Sequence, residues 1–339
     1  MKKILLIMLG LAIAGQSFVA PSLASEPQEC SANNLILHLD SLSEQTRGCQ
    51  EIDPQVYFDN GIVLDVPSPG EQLTYSAISK DGSETELSVW VDVSGNIGAY
   101  ANGFSFGAPT PIESPKPYSG ANIIDDSRES TDLGCVYQDY ALETYRHYSS
   151  YNWWYNSSGE SSPRALDRII AAVNIWRYPS NRCSMQSFST NFKAAYMGNT
   201  ANKSTAINSS GTSCLKIQDG KNVVSWGILQ SNWIGATCVL TDTLSNQIKE
   251  ADIRLNIGYA NQLYDLPLEY QCGIGDFLLV NVAAHEFGHA IGLGHVSQLS
   301  HQLMSPSAVE CTRDFVGLGL GDFQGLLLKY GVLNTNEAV

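Results

Sequence analysis

The chain has 339 residues, of which 43% are hydrophobic and 16% are charged, and its formal net charge is -15. A surface this acidic repels nucleic acids and anionic membranes, so we expect neither as a partner. The length suggests two domains, or one domain with an appendage.

The first 24 residues have the features of an export signal. Lys2 and Lys3 precede an apolar run over residues 4–14, and Ser22-Leu23-Ala24 is a small-residue cleavage site. The run is too short to cross a bilayer, and no later stretch is apolar for long enough. We therefore predict a secreted (extracellular or periplasmic) protein that starts at Ser25 and has no membrane contact after cleavage. The alternative is an uncleaved membrane anchor.

Eight cysteines follow the predicted signal: Cys30, Cys49, Cys135, Cys183, Cys214, Cys238, Cys272 and Cys311. An even number of cysteines in an exported chain indicates disulfides. None forms a Cys-x-x-Cys pair, which disfavours a thiolate metal site. Two lie before residue 50 and six after residue 130, so each half can close its own bridges, while the pairing itself stays open.

Residues 51–107 have the pattern of β-structure. Two short apolar runs flank Asp59-Asn60-Gly61, which is a strong hairpin signal. A later segment predicts a strand with alternate apolar residues on one face: Leu87, Val89, Val91 and Val93. Residues 107–131 are rich in Pro, Ser and Gly, which is typical of a linker or an irregular domain edge. We place the β-rich region at residues 51–125 and the linker at residues 126–131.

Strands and helices are mixed after residue 131. A helix is predicted over residues 162–178, and its buried face has apolar residues at helical spacing: Leu166, Ile169, Ile170, Val173 and Trp176. Predicted strands cover residues 151–155, 192–197, 222–226, 236–240 and 251–256. Asp276 is expected to cap a helix that runs from Phe277 to Ile291. A last helix is predicted from Asp322 to Tyr330, before Gly331.

The most informative stretch reads His-Glu-Phe-Gly-His-Ala-Ile-Gly-Leu-Gly-His and begins at His285. Residues four apart lie on one face of a helix, so His285 and His289 can direct two imidazoles at one ion. Glu286 is adjacent and within reach of a water molecule on that ion. This arrangement predicts a metal site with a carboxylate base beside it.

The end of the same stretch can supply a third ligand. Gly292 and Gly294 can end the helix and turn the chain back, which would bring His295 to the ion. Three neutral nitrogens leave a fourth position open for water, as in catalytic zinc sites. The alternative is a helix whose histidines are ordinary core or surface groups.

These residues resemble the metzincin signature, in which His-Glu-x-x-His-x-x-Gly-x-x-His is followed by a Met-turn. Met304, nine residues after His295, fits the Met-turn position, which implies a hydrophobic floor below the ligands. Within metzincins the chain is most similar to matrixins and their bacterial relatives, over residues 132–331. The resemblance implies an α+β fold: a twisted, mostly parallel sheet with an antiparallel edge strand, an active-site helix and a C-terminal helix. Residues 332–339 would form a tail.

The resemblance implies a zinc metalloendopeptidase that acts on protein or peptide substrates. His285, His289 and His295 would hold one catalytic Zn²⁺, and Glu286 would act as general base towards water. Calcium binding stays open, because no loop repeats a ligand spacing. Two alternatives are a secreted binding or adhesion protein with a non-catalytic zinc site, and an enzyme that hydrolyses a non-protein amide. Glu286 argues against the first, since a structural zinc site has no use for a base.

The resemblance also implies that the strand over residues 236–240 is an exposed edge that pairs with an extended substrate. The substrate-binding residues would then be Ala236, Thr237, Cys238, Val239 and Leu240. The alternative is an interior strand.

The region before the catalytic part has two interpretations. Residues 51–120 resemble the bacterial pre-peptidase C-terminal type domain, a small β-sandwich attached to secreted proteases. Alternatively, residues 51–125 are an inhibitory prosegment that follows an N-terminal segment at residues 25–50, and Cys49 would occupy the open zinc position as a thiolate. The sequence predicts neither the physiological substrate nor the oligomeric state.

Overall fold

The computed structural model describes residues 36–38, 54–102, 104–107, 132–160, 162–179, 181–184, 189–204, 206–264, 275–308, 310 and 317–332. The predicted export signal, the linker at 126–131, Cys49 and most of the 332–339 tail lie outside the described residues. No helix among the described residues is both long and apolar enough to cross a membrane.

The described part of the chain contains three α-helices: α1 (Ala165–Arg177), α2 (Leu279–Ala290) and α3 (Leu320–Tyr330). Its first ten strands are β1 (Ile36–His38), β2 (Gln55–Tyr57), β3 (Val63–Asp65), β4 (Glu71–Ser79), β5 (Thr85–Val91), β6 (Ile97–Ala101), β7 (Phe104–Gly107), β8 (Ala141–Leu142), β9 (Tyr151–Asn156) and β10 (Ala194–Asn199). The remaining strands are β11 (Ser213–Cys214), β12 (Asn222–Gly227), β13 (Trp233–Asp242), β14 (Gln247–Asn256), β15 (Leu263–Tyr264), β16 (Phe277–Leu278) and β17 (Leu293–Gly294). Short 3-10 helices cover Leu133–Cys135, Ile257–Gln262 and Gln298–Ser300.

The main sheet has the strand order β10-β9-β12-β14-β13-β4-β5-β6-β7. Strands β10, β9, β12 and β14 are mutually parallel, and β13 is antiparallel to β14. Helices α1 and α2 pack together, and α2 also contacts β13 and β14. The buried apolar residues between these helices and the sheet, including Trp153, Trp176 and Phe287, form the main core. The α+β fold expected from the sequence is confirmed.

Strand β13 is an interior strand, so the predicted exposed edge is wrong. On its other side it pairs antiparallel with β4 from Trp233↔Ser79 to Asp242↔Glu71, with a register shift between Trp233 and Gly235. Strand β4 in turn leads to β5, β6 and β7. The physical reason is that the β-rich region before residue 108 supplies the strand that takes up the free hydrogen-bonding groups of β13.

The β-rich region also shares a core with the later part of the chain. A smaller sheet, β1-β2-β3-β11, covers one face of the main sheet. The buried residues between the two sheets, including Leu64, Tyr75 and Trp233, form the second core. A disulfide, Cys214–Cys238, joins β11 to β13, and a second joins Cys135 to Cys183. Residues 71–107 are therefore built into the same sheet as the strands beside α2.

Three local predictions from the sequence, a hairpin, a strand face and a helix cap, had different outcomes. The hairpin around Asp59-Asn60-Gly61 is confirmed, with Val56 opposite Leu64. Val93 is 66% exposed beyond the end of β5, so it does not extend the buried face of that strand. The predicted cap at Asp276 is wrong, because Phe277 and Leu278 first form β16 with β15 and the helix starts without a side-chain cap.

Candidate active site

Helix α2 carries His285 and His289 one turn apart, and both side chains are buried. The chain turns back at Gly292, where φ is 89°. A Cβ atom at Gly292 would collide with the carbonyl oxygen of Tyr145, so the turn requires glycine. Strand β17 then leads to His295, which faces the first two histidines.

The three Nε2 atoms of His285, His289 and His295 lie 3.0 to 3.2 Å from one another. Nδ1 of His285 donates to the carbonyl oxygen of Leu303 (2.7 Å), and Nδ1 of His289 donates to that of Leu293 (2.9 Å). In a neutral imidazole a proton on Nδ1 leaves a lone pair on Nε2. The Nε2 atoms of His285 and His289 are therefore both hydrogen-bond acceptors, and they face each other. A shared cation removes that repulsion, and tetrahedral zinc would set its nitrogens roughly 3.3 Å apart. The three histidines therefore fit a zinc ion.

Burial also keeps these imidazoles neutral. It lowers the pKa of His285 to about 4, and burial together with the neighbouring histidines lowers the pKa of His289 and of His295 well below the ordinary value. Neutral imidazole is the form that binds a metal, so the pocket favours ligation at neutral pH.

Glu286 lies beside the histidines and is buried. Its Oε2 accepts a hydrogen bond from the Thr237 hydroxyl at 2.5 Å. Its Oε1 has no partner at hydrogen-bond distance among the described residues. Burial raises the pKa of Glu286 to about 8, and the Thr237 hydroxyl and the backbone N–H of Ile78 oppose this increase. A carboxyl group with one oxygen left over is suited to exchange protons with a neighbouring group.

Gly235 on β13 makes room for this carboxylate. A Cβ atom there would lie 2.7 Å from Oε1 and 2.9 Å from Cγ of Glu286. The sequence interpretation missed Gly235. A glycine inside a predicted strand signals a close approach by another group, and that signal could have identified it.

The predicted Met-turn residue lies under the helix. Met304 is buried, and a Cβ atom at Gly288 would collide with its sulfur, so the glycine lets methionine pack directly against α2. The turn is held by Asp322 of α3, a contact that the sequence interpretation missed. The Asp322 carboxylate accepts the backbone N–H of Leu303 (2.6 Å), of Met304 (3.1 Å) and of Gly319 (3.0 Å).

The five residues predicted to bind substrate are buried in β13. Only Thr237 reaches the site, through its hydrogen bond to Glu286. Val239 points into the main core. Ala236, Cys238 and Leu240 point into the second core, and Cys238 is disulfide-bonded. Their backbone groups pair with β4 and β14, so the strand has no free edge in the described fold, and the role of these residues in substrate binding remains a prediction.

Glu86 on β5 is a further residue that the sequence interpretation missed. Its Oε2 accepts the backbone N–H of His295 (3.1 Å) and lies 3.7 Å from the ring Nδ1 of that histidine. Burial and the neighbouring carboxyl group of Glu143 raise the pKa of Glu86. Carboxylates in this position orient metal-binding histidines. The sequence carried no signal for this contact, because Glu86 is more than 200 residues from His295 along the chain.

Glu86→Gln is expected to weaken zinc binding about 10- to 100-fold, because the neutral amide is a poorer acceptor for the His295 backbone N–H and no longer attracts the nearby ring by its charge. Competition with a fluorescent zinc chelator measures this affinity. Glu84→Gln is the matched control: it removes a carboxylate from the same cluster and leaves the hydrogen bond to the His295 backbone intact. Equal zinc affinity in the Glu86→Gln variant and wild type would contradict an orienting role.

Residues 237–331 match the family model of the matrixins. The matched segment contains all three histidines, Glu286, Met304 and α3, and it covers less than a third of the chain. No curated protein matches the chain. The match supports a matrixin-type zinc metalloprotease, as the resemblance of the histidine stretch implied. The resemblance of residues 51–120 to a pre-peptidase domain remains a prediction.

Proposed function

We propose that the chain is an exported zinc endopeptidase that hydrolyses peptide bonds in proteins or peptides. The observation that carries this proposal is the convergence of three neutral imidazole nitrogens within 3.2 Å, with the carboxylate of Glu286 beside them. The matrixin match over the same segment agrees with it. Localisation outside the cytoplasm is part of the proposal, and the two disulfides support it.

His285, His289 and His295 would hold the ion, and zinc, when bound, would act as a Lewis acid on water and on the scissile carbonyl. Glu286 takes a proton from the attacking water and later delivers it to the nitrogen of the broken bond. Thr237 orients the carboxylate through one oxygen, which leaves the other for this proton. The buried surroundings exclude bulk water, which strengthens the interaction of the carboxylate with its partners.

Removal of the metal tests the proposal. A zinc chelator is expected to abolish casein cleavage, and added Zn²⁺ should restore it while Mg²⁺ should not, because nitrogen ligands select zinc over magnesium. The melting temperature should fall with the metal, since a ligand that binds only the folded state stabilises it. Full casein cleavage by protein shown to be free of metal would refute the proposal.

The histidine ligands are tested in the same preparation. The His289→Ala variant should bind less than about a tenth of the zinc of wild type, since two nitrogens no longer form a catalytic site. His301→Asn serves as the control, because His301 has a φ of 52° that asparagine tolerates and it lies outside the cluster. A zinc-loaded wild type that cleaves no substrate would favour the alternative of a binding protein with a non-catalytic zinc.

A further inference from the structure

Strand β4 occupies the position at which an extended peptide would add to the sheet beside Glu286. It runs antiparallel to β13 along the whole of that strand. Strand addition to a sheet edge is a common way for proteins to bind peptides, with backbone hydrogen bonds supplying affinity. The backbone groups that a substrate would use on β13 are therefore already bonded to the chain's own β4.

The C-terminal end of β4 is also held from its other side. Strand β4 pairs with β5 only as far as Ala77. Beyond that point Ser79 donates its N–H to the carbonyl oxygen of Pro306 (3.0 Å) and accepts the N–H of Ala308 (2.8 Å). The two segments run parallel, with Ser79 opposite Ser307. This end of β4 thus lies in a slot between β13 and the loop after Met304.

The proposed base lies beside this segment at Ile78. Ile78 lies opposite Gly235, and the missing side chain of Gly235 leaves the room that the Glu286 carboxylate occupies. The backbone of β4 at Ile78 therefore covers the position on β13 that is next to the proposed base.

The Ile78 side chain fills a pocket next to the site. It is 3% exposed and belongs to the main core, whereas Tyr75 and Ala77 point to the opposite face and belong to the second core. Only about 20 Å³ of the pocket remains empty, which is room for about one water molecule. Besides Ile78, the remaining space is lined by the apolar residues Val282, Leu303 and Ala308 and by the polar residues Arg182, Asn281 and Gln302.

We propose that the end of β4 at residues 78–79, here called the inhibitory segment, is an internal pseudosubstrate that keeps the cleft closed until the segment is displaced. The inference rests on the proposed function, since it concerns regulation of the same site. The inhibitory segment competes with a substrate for the backbone of β13, for Pro306 and Ala308, and for the pocket. Because it belongs to the same chain, its effective concentration is high and does not depend on protein concentration.

Only the end of β4 has to move for the cleft to open. Leu73 and Tyr75 are anchored in the second core, and β4 is paired with β5 up to Ala77. After the inhibitory segment, Lys80 is exposed and Gly82 adopts a φ of 78° in the turn to β5. Displacement of the inhibitory segment into this exposed turn uncovers the slot without unfolding the sheet.

Ile78→Ala tests the inference by removing the side chain that anchors the inhibitory segment in the pocket. The variant is expected to cleave casein about tenfold faster than wild type at equal zinc content, because less apolar surface is buried in the closed state. Ile78→Val should give a smaller increase. Leu64→Ala is the control: it removes a buried aliphatic side chain from the second core and should leave the rate unchanged.

A synthetic peptide with the sequence of residues 72–81 provides an independent measurement. It is expected to inhibit Ile78→Ala, whereas the same peptide with the Ile78→Asp change should inhibit less, because the Ile78 side chain packs among the buried apolar residues of the main core, where a carboxylate loses its hydration.

The outcomes separate the inference from the proposed function. Equal casein rates in folded, zinc-loaded wild type, Ile78→Val and Ile78→Ala would overturn the inhibitory role and leave the peptidase intact. If Ile78→Ala does not fold, the casein cleavage rates of wild type and Ile78→Val decide whether the segment is inhibitory. Zinc-loaded protein that cleaves nothing in any of these forms would refute the peptidase, and the inhibitory role with it.

Discussion

The Glu286→Gln variant is expected to hydrolyse peptides about 10³-fold more slowly than its parent and to bind zinc equally well. The amide has the same shape as the carboxylate and fits the room left by Gly235, but it cannot take up a proton. The Thr237 hydroxyl can still donate to the amide oxygen, so the side chain keeps its position. Loss of rate without loss of metal would assign Glu286 to the chemical step.

The measurement compares initial rates of casein cleavage with zinc content in the same preparation. It is made both in the wild-type chain and in Ile78→Ala, so that a closed cleft is not mistaken for a missing base. Glu250→Gln is the matched control, since it makes the same change at a buried carboxyl group of β14 outside the histidine cluster. A Glu286→Gln variant that retains the parental rate would exclude the general-base role.

The Asp322→Ala variant is expected to lower the free energy of unfolding by roughly 3–5 kcal/mol and the melting temperature by roughly 10 °C. The reason is that three buried backbone N–H groups, those of Leu303, Met304 and Gly319, would lose their acceptor. Because the Leu303 carbonyl oxygen accepts from His285, zinc affinity should fall as well.

Thermal unfolding of zinc-loaded and zinc-free protein measures both effects. Asp322→Asn keeps one carbonyl oxygen as an acceptor. It should therefore lower the free energy of unfolding by about half as much as Asp322→Ala does. Asp167→Ala, at an exposed position of α1, should stay within about 0.5 kcal/mol of wild type. If Asp322→Ala melted at the wild-type temperature, the Met-turn would have to be held by other contacts.

The predictions for Glu286 and Asp322 concern residues whose roles could not be predicted equally well from the sequence. The histidines and Glu286 lie within eleven consecutive residues, so helical periodicity and two glycines sufficed to predict their convergence. Asp322 was visible only as part of a helix resembling that of matrixins. Its role depends on where α3 packs against Leu303, and local spacing carries no information about that contact.

The N-terminal strands illustrate the same difference. Alternating apolar residues and Asp59-Asn60-Gly61 predicted β-structure and a hairpin, both of which the structure contains. The pattern could not specify the partner of β4, because strand pairing between distant segments is decided by burial of both faces and not by local sequence. The predicted open edge at residues 236–240 was wrong for this reason.

By itself the sequence determined the predicted metal-binding stretch and the helices that carry and close it, since these follow from short-range periodicity and turn residues. The α+β class was implied by the resemblance to matrixins. The tertiary structure decided which strand covers β13, which carboxylate faces His295 and what fills the slot beside Glu286. Those contacts join distant residues, more than 200 positions apart for Glu86 and His295, and only the packing of the two cores brings them together.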